Sequence, residues 1–365
     1  MAVKELSWSR KEKPGIHSRR PHTRTPQSDP PPSSSQSILT SELQSILDAL
    51  PPVDYAFGYG SGVFTQDSAS MSGERGGKEK EELLQEEKPQ VDIILAPKCL
   101  HSFHKENLEL NPAHYSGLSR HLGPSYCANL NSLHPGLYFN PYCSIASSSN
   151  PDNHHIVKYG VISHFDLSND LNNWTSFYTA GRLQKPTLPL LAPSTSLTDA
   201  LNNNLISAIS AGILVSSPPS TSATTVKRVK LHKWISSLSY LGDVRTSLNF
   251  EDPRKVEKLT TSKGSDMRFR DLYKAPLEEL KEKGLIDFDE KDVTFDVSPR
   301  SIMGMIETLP PTLSRLAGRE EVKRTLAGIV RGSSLKQTVK GVITAGGGRA
   351  IKYGWAKFLK GRKRK

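Results

Sequence analysis

Apolar positions recur along this chain on two different periods, and the changes of period mark out its elements. Val53-Asp54-Tyr55-Ala56-Phe57-Gly58-Tyr59-Gly60-Ser61-Gly62-Val63-Phe64 is an apolar, aromatic-rich run ending in Gly-Ser, which predicts a strand delivering a tight turn. Val91-Asp92-Ile93-Ile94-Leu95 predicts a neighbouring buried strand, and Ile156-Val157-Lys158-Tyr159-Gly160-Val161-Ile162 another. Ahead of the first strand, Ile38, Leu43, Ile46, Leu47 and Leu50 recur at helical spacing and stop at Pro51-Pro52, so a short amphipathic helix is expected beneath it. Ser168-Asn169-Asp170 reads as a helix start, after which Leu171, Trp174, Phe177, Tyr178 and Leu183 line one face of a helix ending before Pro186. Leu201, Leu205, Ile209 and Ile213 predict a second helix from Ser196 to Val215. Further on come a short helix from Leu277 to Gly284, a strand at Val293-Thr294-Phe295-Asp296-Val297, and a helix from Leu335 closing on Gly346.

Other stretches have no apolar period. Residues 1 to about 37 carry Arg19, Arg20 and Arg24 among many Pro and Ser, and a segment so poor in apolar side chains cannot offset the entropy of ordering. It reads as a disordered leader with the basic, hydroxylated character of a targeting segment. Gln66 to Lys88 and Ser216 to Thr225 read as loops. The hydrophobic content of 36% agrees that part of the chain stays outside any core, while 365 residues suffice for two domains. The longest apolar stretch, Leu205 to Val215, is too short and too interrupted to span a bilayer, so membrane contact is expected to be peripheral. Cys99, Cys127 and Cys143 have neither disulfide nor zinc spacing. The net charge of +11 calls for an anionic partner: nucleic acid, nucleotide or acidic lipid.

The candidate chemistry begins at the Gly60-Ser61 turn, where backbone amides and a hydroxyl can cradle phosphate oxygens; the bland alternative is an ordinary hairpin turn. Asp92 is a carboxylate among Val, Ile and Leu, a costly placement unless it meets a metal or a cation. Asp243, directly after Gly242, reads as a second metal carboxylate or as half of an Asp-Arg turn pair with Arg245. Arg182 and Lys185 either complement a helix end or grip phosphate. His101, His104 and His114 are not spaced as metal ligands, and substrate contact by His114 or Tyr115 is the better functional reading. No acid follows Glu321, and if Gly348 to Leu359 is helical, Ile351, Trp355, Phe358 and Leu359 share one side with Arg349, Lys352 and Lys360 toward the other. Basic residues contribute about 1 kcal/mol each at an anionic leaflet, so a membrane-binding end is expected. A basic tail for nucleic acid is the alternative.

Seven blocks in one order carry a resemblance: Tyr59-Gly60-Ser61-Gly62-Val63-Phe64, Asn111-Pro112-Ala113-His114-Tyr115-Ser116, Lys158-Tyr159-Gly160-Val161-Ile162-Ser163, Asn169-Asp170-Leu171 with Trp174, Ala180-Gly181-Arg182-Leu183-Gln184-Lys185-Pro186, Leu238-Ser239-Tyr240-Leu241-Gly242-Asp243, and the run from Gln337 to Gly346. Together they resemble the mitochondrial phosphatidate cytidylyltransferase family of the translocator assembly and maintenance type. The resemblance implies an α+β protein: a leader over 1–37, a nucleotidyltransferase-fold domain over 38–250, a smaller, mainly helical winged-helix-like domain over 251–332 and a basic membrane-binding segment over 333–365. It implies Mg²⁺-dependent synthesis of CDP-diacylglycerol and pyrophosphate from CTP and phosphatidic acid, at the matrix face of the mitochondrial inner membrane, serving cardiolipin synthesis, with no nucleic acid partner.

On that reading Gly60 and Ser61 hold the triphosphate, Asp92 and Asp243 are the catalytic acids that bind Mg²⁺, and Lys158, Arg182 and Lys185 neutralise phosphate oxygens. Asp166 stands as the reserve second acid, because Ile94 occupies the position where such sheets usually carry one. Lys352, Trp355, Phe358 and Lys360 are the expected membrane contacts. Two rivals remain: a nucleotidyltransferase with a different acceptor, and a non-enzymatic inner-membrane protein supporting protein import.

Overall fold

A computed structural model of the chain describes residues 42–60, 63, 90–146, 154–216, 224–244, 255–261, 264–288, 292–295, 299–316 and 318–346. The leader, Ser61, Gly62, the expected loop at Gln66 to Lys88, residues 217–223 of the loop expected at Ser216 to Thr225, and the basic end from 347 lie outside them; Ser216 instead ends a helix, and Thr224 and Thr225 begin a strand.

The main sheet has five strands in the order β3 (Leu137–Ala146), β4 (His154–Ile162), β2 (Val91–Ala96), β1 (Tyr55–Tyr59) and β5 (Leu188–Leu191). β2 and β4 run parallel, and the other neighbours are antiparallel. Alternation along the strands makes two apolar faces. One face, with Ala56, Ile93, Leu95, Val157 and Val161, is covered by Leu43, Ile46, Leu47 and Leu50 of the expected helix, here α1 (residues 42–48) and the turn after it, and by Phe103 of α2 (Leu100–Leu110). The other face, with Phe57, Tyr59, Ile94 and Phe139, packs on the larger core formed by α4 (His164–Asn173), α6 (Thr195–Ser216), α7 (Arg228–Leu238) and the elements that follow.

A second, antiparallel sheet, β6 (Thr224–Lys227), β8 (Asp292–Phe295) and β7 (Asp287–Phe288), takes its first strand from before residue 250. Around it lie α8 (Lys255–Thr261), α9 (Ser265–Glu282), α10 (Pro299–Glu307) and α11 (Pro311–Ser314), and the described residues close with α12 (Arg319–Ala345).

Three differences from the periodic pattern have physical causes. β3 is hidden in the sequence by Pro141, which an edge strand tolerates; the register shifts between Asn140 and Cys143, with Tyr142 at φ 54°, so the proline sits in a bulge. The helix expected through Leu183 is broken in two. α4 ends with Trp174 at φ 50°, Phe177 also has positive φ at 55°, and a new turn, α5 (Ala180–Leu183), begins beyond them. Leu277 to Gly284 is only the end of α9, whose apolar face begins at Phe269.

Candidate functional site

Tyr59 and Gly60 end β1, and the strand register sets Tyr59 beside Asp92 of β2 and Asp92 beside Lys158 of β4. Gly60 has φ 83°, a conformation that costs a side-chain-bearing residue, and a β-carbon built on it would lie 3.7 Å from Asp92 Oδ2. The end of β1 therefore turns across the face of the carboxylate. Ser61, expected to complete the phosphate cradle, lies outside the described residues.

Asp92 answers the question posed by its apolar neighbours, because Lys158 Nζ reaches its Oδ1 at 3.3 Å. The pair is mostly covered, with the lysine 15% and the acid 29% exposed, so one side of the carboxylate remains open to solvent or ligand. Lys158 Nζ also lies 4.6 Å from the centre of the Phe139 ring. Phe139 leads to Tyr178 at 6.0 Å, Tyr178 to the Arg182 guanidinium at 5.6 Å, and Arg182 to the Tyr59 ring at 3.9 Å. Asp92, Lys158, Phe139, Tyr178, Arg182 and Tyr59 thus form one cluster beside the Gly60 turn. Burial raises the Tyr59 hydroxyl well above its ordinary pKa; Arg182 and Lys158 oppose the shift, and Asp92 adds to it. That hydroxyl is buried and has no hydrogen-bond partner among the described residues.

Arg182 is delivered by α5, and α5 is fixed by Asp170. The buried carboxylate of Asp170 accepts hydrogen bonds from the backbone N–H groups of Ser176, Phe177, Thr179 and Ala180 and from the Thr179 hydroxyl, at 2.6–2.9 Å. Those bonds hold the backbone through its positive-φ residues, which is why the predicted helix breaks here. On the other side Asn204 of α6 accepts from Trp174 Nε1 and Gln184 Nε2 at 2.8 and 2.9 Å and donates to Ala180 O at 3.1 Å. Lys185, just beyond α5, donates to Ser239 Oγ at 2.5 Å and lies 4.9 Å from the Tyr240 ring. At Gly181 a β-carbon would lie 3.0 Å from both Phe177 and Ser239, so a larger residue would press α5 away from the end of α7 by a few tenths of an ångström.

The remaining acids are placed differently. Asp243 is buried on the turn that follows Tyr240, its N–H donating to Tyr240 O at 3.3 Å. The backbone on either side of it meets α12: a β-carbon on Gly242 would sit 2.6 Å from Ala327 O, and Val244 N donates to Ser334 Oγ at 3.4 Å. Asp166 closes the N-terminus of α4, its N–H donating to Ser163 Oγ at 2.9 Å while that hydroxyl donates to Asp166 Oδ2 at 2.6 Å. Its observed contacts are those of a cap.

His114 and Tyr115, read from sequence as substrate contacts, belong to a buried network on the opposite side of the sheet. His114 Nδ1 is 3.0 Å from Tyr159 Oη, Asn107 Nδ2 donates to Tyr159 and Tyr115 at 2.7 and 3.0 Å, and His104 lies 2.9 Å from Tyr115 and 3.0 Å from Asn131. Tyr159 follows Lys158 in β4 and so points away from it. Burial lowers the His104 pKa from 6.5 to about 4. Among the described residues no three His, Cys, Asp or Glu side chains form a metal-binding group, and no helix is long and apolar enough to cross a membrane. Lys352, Trp355, Phe358 and Lys360 lie outside the described residues.

A family model described as phosphatidate cytidylyltransferase, mitochondrial, matches residues 43–320 and 314–360. The Saccharomyces cerevisiae protein of that name is 32% identical over 342 residues, an alignment covering 92% of this chain and 76% of the relative. The Schizosaccharomyces pombe protein is 30% identical over 349 residues, covering 85% and 80%, and the Rattus norvegicus protein 31% identical over 332 residues, covering 84% and 89%.

Proposed function

Since this chain belongs to the mitochondrial phosphatidate cytidylyltransferase family, we propose that it transfers the cytidylyl group of CTP to phosphatidic acid, giving CDP-diacylglycerol and pyrophosphate. The single observation that carries this reading is the cluster of Asp92, Lys158 and Arg182 beside the Gly60 turn, two cations and one open carboxylate where a triphosphate needs them. In the reaction an anionic oxygen of the phosphatidate phosphate bonds to the α-phosphorus of CTP. The bond from that phosphorus to the oxygen bridging to the β-phosphate breaks, and pyrophosphate leaves with the electron pair. The nucleophile is already ionised, so the task is to align two anions and offset their repulsion rather than to remove a proton.

Each residue has a part in that task. Gly60 and Ser61 cradle the triphosphate, while Lys158, Arg182 and Lys185 neutralise phosphate oxygens, Arg182 held in orientation by the two tyrosine rings. Magnesium fits the donor set, because it is commonly held by one or two carboxylates together with substrate phosphates and water, and Asp92 keeps one oxygen toward the Gly60 turn. Asp92 and Asp243 are the acids we assign to it; when bound, the ion offsets charge on the triphosphate and on departing pyrophosphate. The finer architecture we infer is a nucleotidyltransferase-type main sheet with a winged-helix-like body around β6, β7 and β8. We place the protein at the matrix side of the inner membrane as a peripheral enzyme supplying cardiolipin synthesis.

Radiolabelled CTP with Mg²⁺ and phosphatidate-containing liposomes tests the proposal directly. Phosphatidate-dependent pyrophosphate release is expected, with Asp92→Asn abolishing it while leaving the thermal transition in place. Pyrophosphate release that needs no phosphatidate would move the reading to a different acceptor, and the absence of CTP binding to the non-enzymatic one. Asp243→Asn is expected to raise the magnesium concentration needed for half-maximal turnover; an unchanged requirement would remove it from the metal set.

A further inference from the structure

The Tyr59 ring helps to orient Arg182, but its hydroxyl has no part in the assignments above. Its side chain is 5% exposed, its ring lies under the Arg182 guanidinium at 3.9 Å, and its strand partner is Asp92. Its hydroxyl is buried without a hydrogen-bond partner among the described residues, although Tyr55, Tyr115, Tyr138 and Tyr159 show that this chain buries many phenols. Tyr115, Tyr138 and Tyr159 each have a partner for the hydroxyl. A buried, unpaired hydroxyl is destabilising, and such groups persist where a ligand completes them.

Three facts say what that ligand is. Tyr59 immediately precedes Gly60, the residue whose positive φ turns the backbone past Asp92. The groups around its ring and strand position, Arg182, Lys158 and Asp92, suit an anionic ligand with a bound cation. A phenol, moreover, keeps its proton far above neutral pH, so toward such a ligand it acts as a donor and not a base.

We propose that the Tyr59 hydroxyl donates a hydrogen bond to a phosphate oxygen of the bound nucleotide, while its ring seats Arg182 against the same phosphates. This rests on the cytidylyltransferase reading and adds a residue to the nucleotide site. Tyr59 thereby has two separable functions, one in the hydroxyl and one in the ring.

Tyr59→Phe keeps the ring and removes only the hydroxyl. Loss of a hydrogen bond to a charged group is expected to lower kcat/KM for CTP by about 10- to 100-fold, with KM for phosphatidate unchanged. The unliganded variant is expected to unfold at the same temperature as wild type or higher, because an unpaired buried hydroxyl has been removed. A merely structural hydroxyl would give the reverse: a lower unfolding temperature and near-normal kinetics. Tyr59→Leu, which also removes the ring, is expected to lose more.

The stabilisation of the protein by CTP and Mg²⁺ in a thermal-shift titration provides a readout that needs no lipid acceptor. A Tyr59→Phe protein requiring about tenfold more CTP for the same shift supports the inference even if the acceptor is not phosphatidate. A CTP dependence within twofold of wild type overturns it, and so does an effect confined to the phosphatidate KM, whether or not wild type makes CDP-diacylglycerol.

Discussion

Asp170 shows how much of the candidate site depends on a residue outside the Asp92, Lys158 and Arg182 cluster. Its carboxylate gathers four backbone N–H groups and one hydroxyl from a segment six to ten positions further on, and that segment delivers Arg182. Asn in its place has one acceptor oxygen and a competing NH₂ donor, so Asp170→Asn is expected to lower stability by about 2–4 kcal/mol in urea unfolding. Its kcat is expected to fall with it, because α5 loses its tether. The sequence marks Arg182 as a phosphate candidate but reads Ser168-Asn169-Asp170 as a helix start, whereas α4 begins at His164 with Ser163 as its cap and Asp170 stands in its last turn. What cannot be read is that the acid organises what comes after the helix rather than the helix itself, since the periodicity of Trp174, Phe177 and Leu183 runs unbroken across two positive-φ residues. The histidines were harder still. Burial holds His104 and His232 at about 4, against 6.5 in the unfolded chain. Between pH 6.5 and 4 the unfolded chain therefore binds protons that the folded chain refuses, and stability falls as pH drops through that window, by at most about 1.4 kcal/mol per unit for each group. His104→Gln is expected to make the fall of the urea midpoint shallower while keeping the network to Asn131 and Tyr115 partly intact.

Among the elements, α12 departs furthest from the rule that a helix buries its apolar side. Over its second half Ser333, Ser334, Gln337, Lys340 and Thr344 are buried, while Leu335, Val339 and Val342 are 53%, 59% and 53% exposed. Two of them anchor the helix: Lys340 Nζ donates to Asn131 O at 2.9 Å and Leu133 O at 2.6 Å, and Ser333 Oγ lies 3.1 Å from His134 Nε2. The helix is thus docked through carbonyls at the end of α3 (Gly117–Ser132). This explains what the sequence did and did not reveal. Its stop was legible because Gly346, at φ 75°, is a residue that can end a helix there, but its start at Arg319 was not, because the apolar stripe of Val322, Leu326 and Val330 gives way to polar side chains from Ser333 and does not join the two halves into one period. Burial lowers the Lys340 pKa to about 7, with Asp166 opposing. The unfolded lysine keeps its proton to about 10.5, so above about pH 7 the folded chain has released a proton that the unfolded chain retains. Stability should rise with pH between about 7 and 10.5, and Lys340→Met is expected to flatten that rise in the urea midpoint.

For the molecule as a whole, the three strands carrying Tyr59, Asp92 and Lys158 were legible as apolar runs, and it is the register of the sheet that sets these residues side by side. Of the second sheet only β8 was legible, as the strand expected at Val293 to Val297; β7 has two residues and β6 comes from a Thr- and Ser-rich stretch read as loop. No helix among the described residues is long enough and apolar enough to cross a membrane, so a lipid substrate has to be met at the bilayer surface or by the residues beyond them. The exposed stripe of Leu335, Val339 and Val342 leads directly into the run that ends Lys360-Gly361-Arg362-Lys363-Arg364-Lys365, so an apolar face and a block of cations are adjacent in the chain. The two respond differently to salt. Attraction of the cations to an anionic leaflet is screened as the Debye length falls from about 10 Å at 0.1 M to about 3 Å at 1 M, whereas burial of apolar side chains is not weakened by salt. Co-sedimentation with vesicles containing phosphatidate should therefore fall on raising salt but leave a resistant fraction. Combining Leu335→Gln, Val339→Gln and Val342→Gln is expected to remove that fraction and leave the salt-sensitive part. These positions are solvent-facing and the changes leave the Lys340 contacts alone, so the thermal transition should stay within a few degrees of wild type. If the triple variant sediments like wild type at every salt concentration, the stripe faces something other than the bilayer, and membrane attachment belongs to the basic run alone.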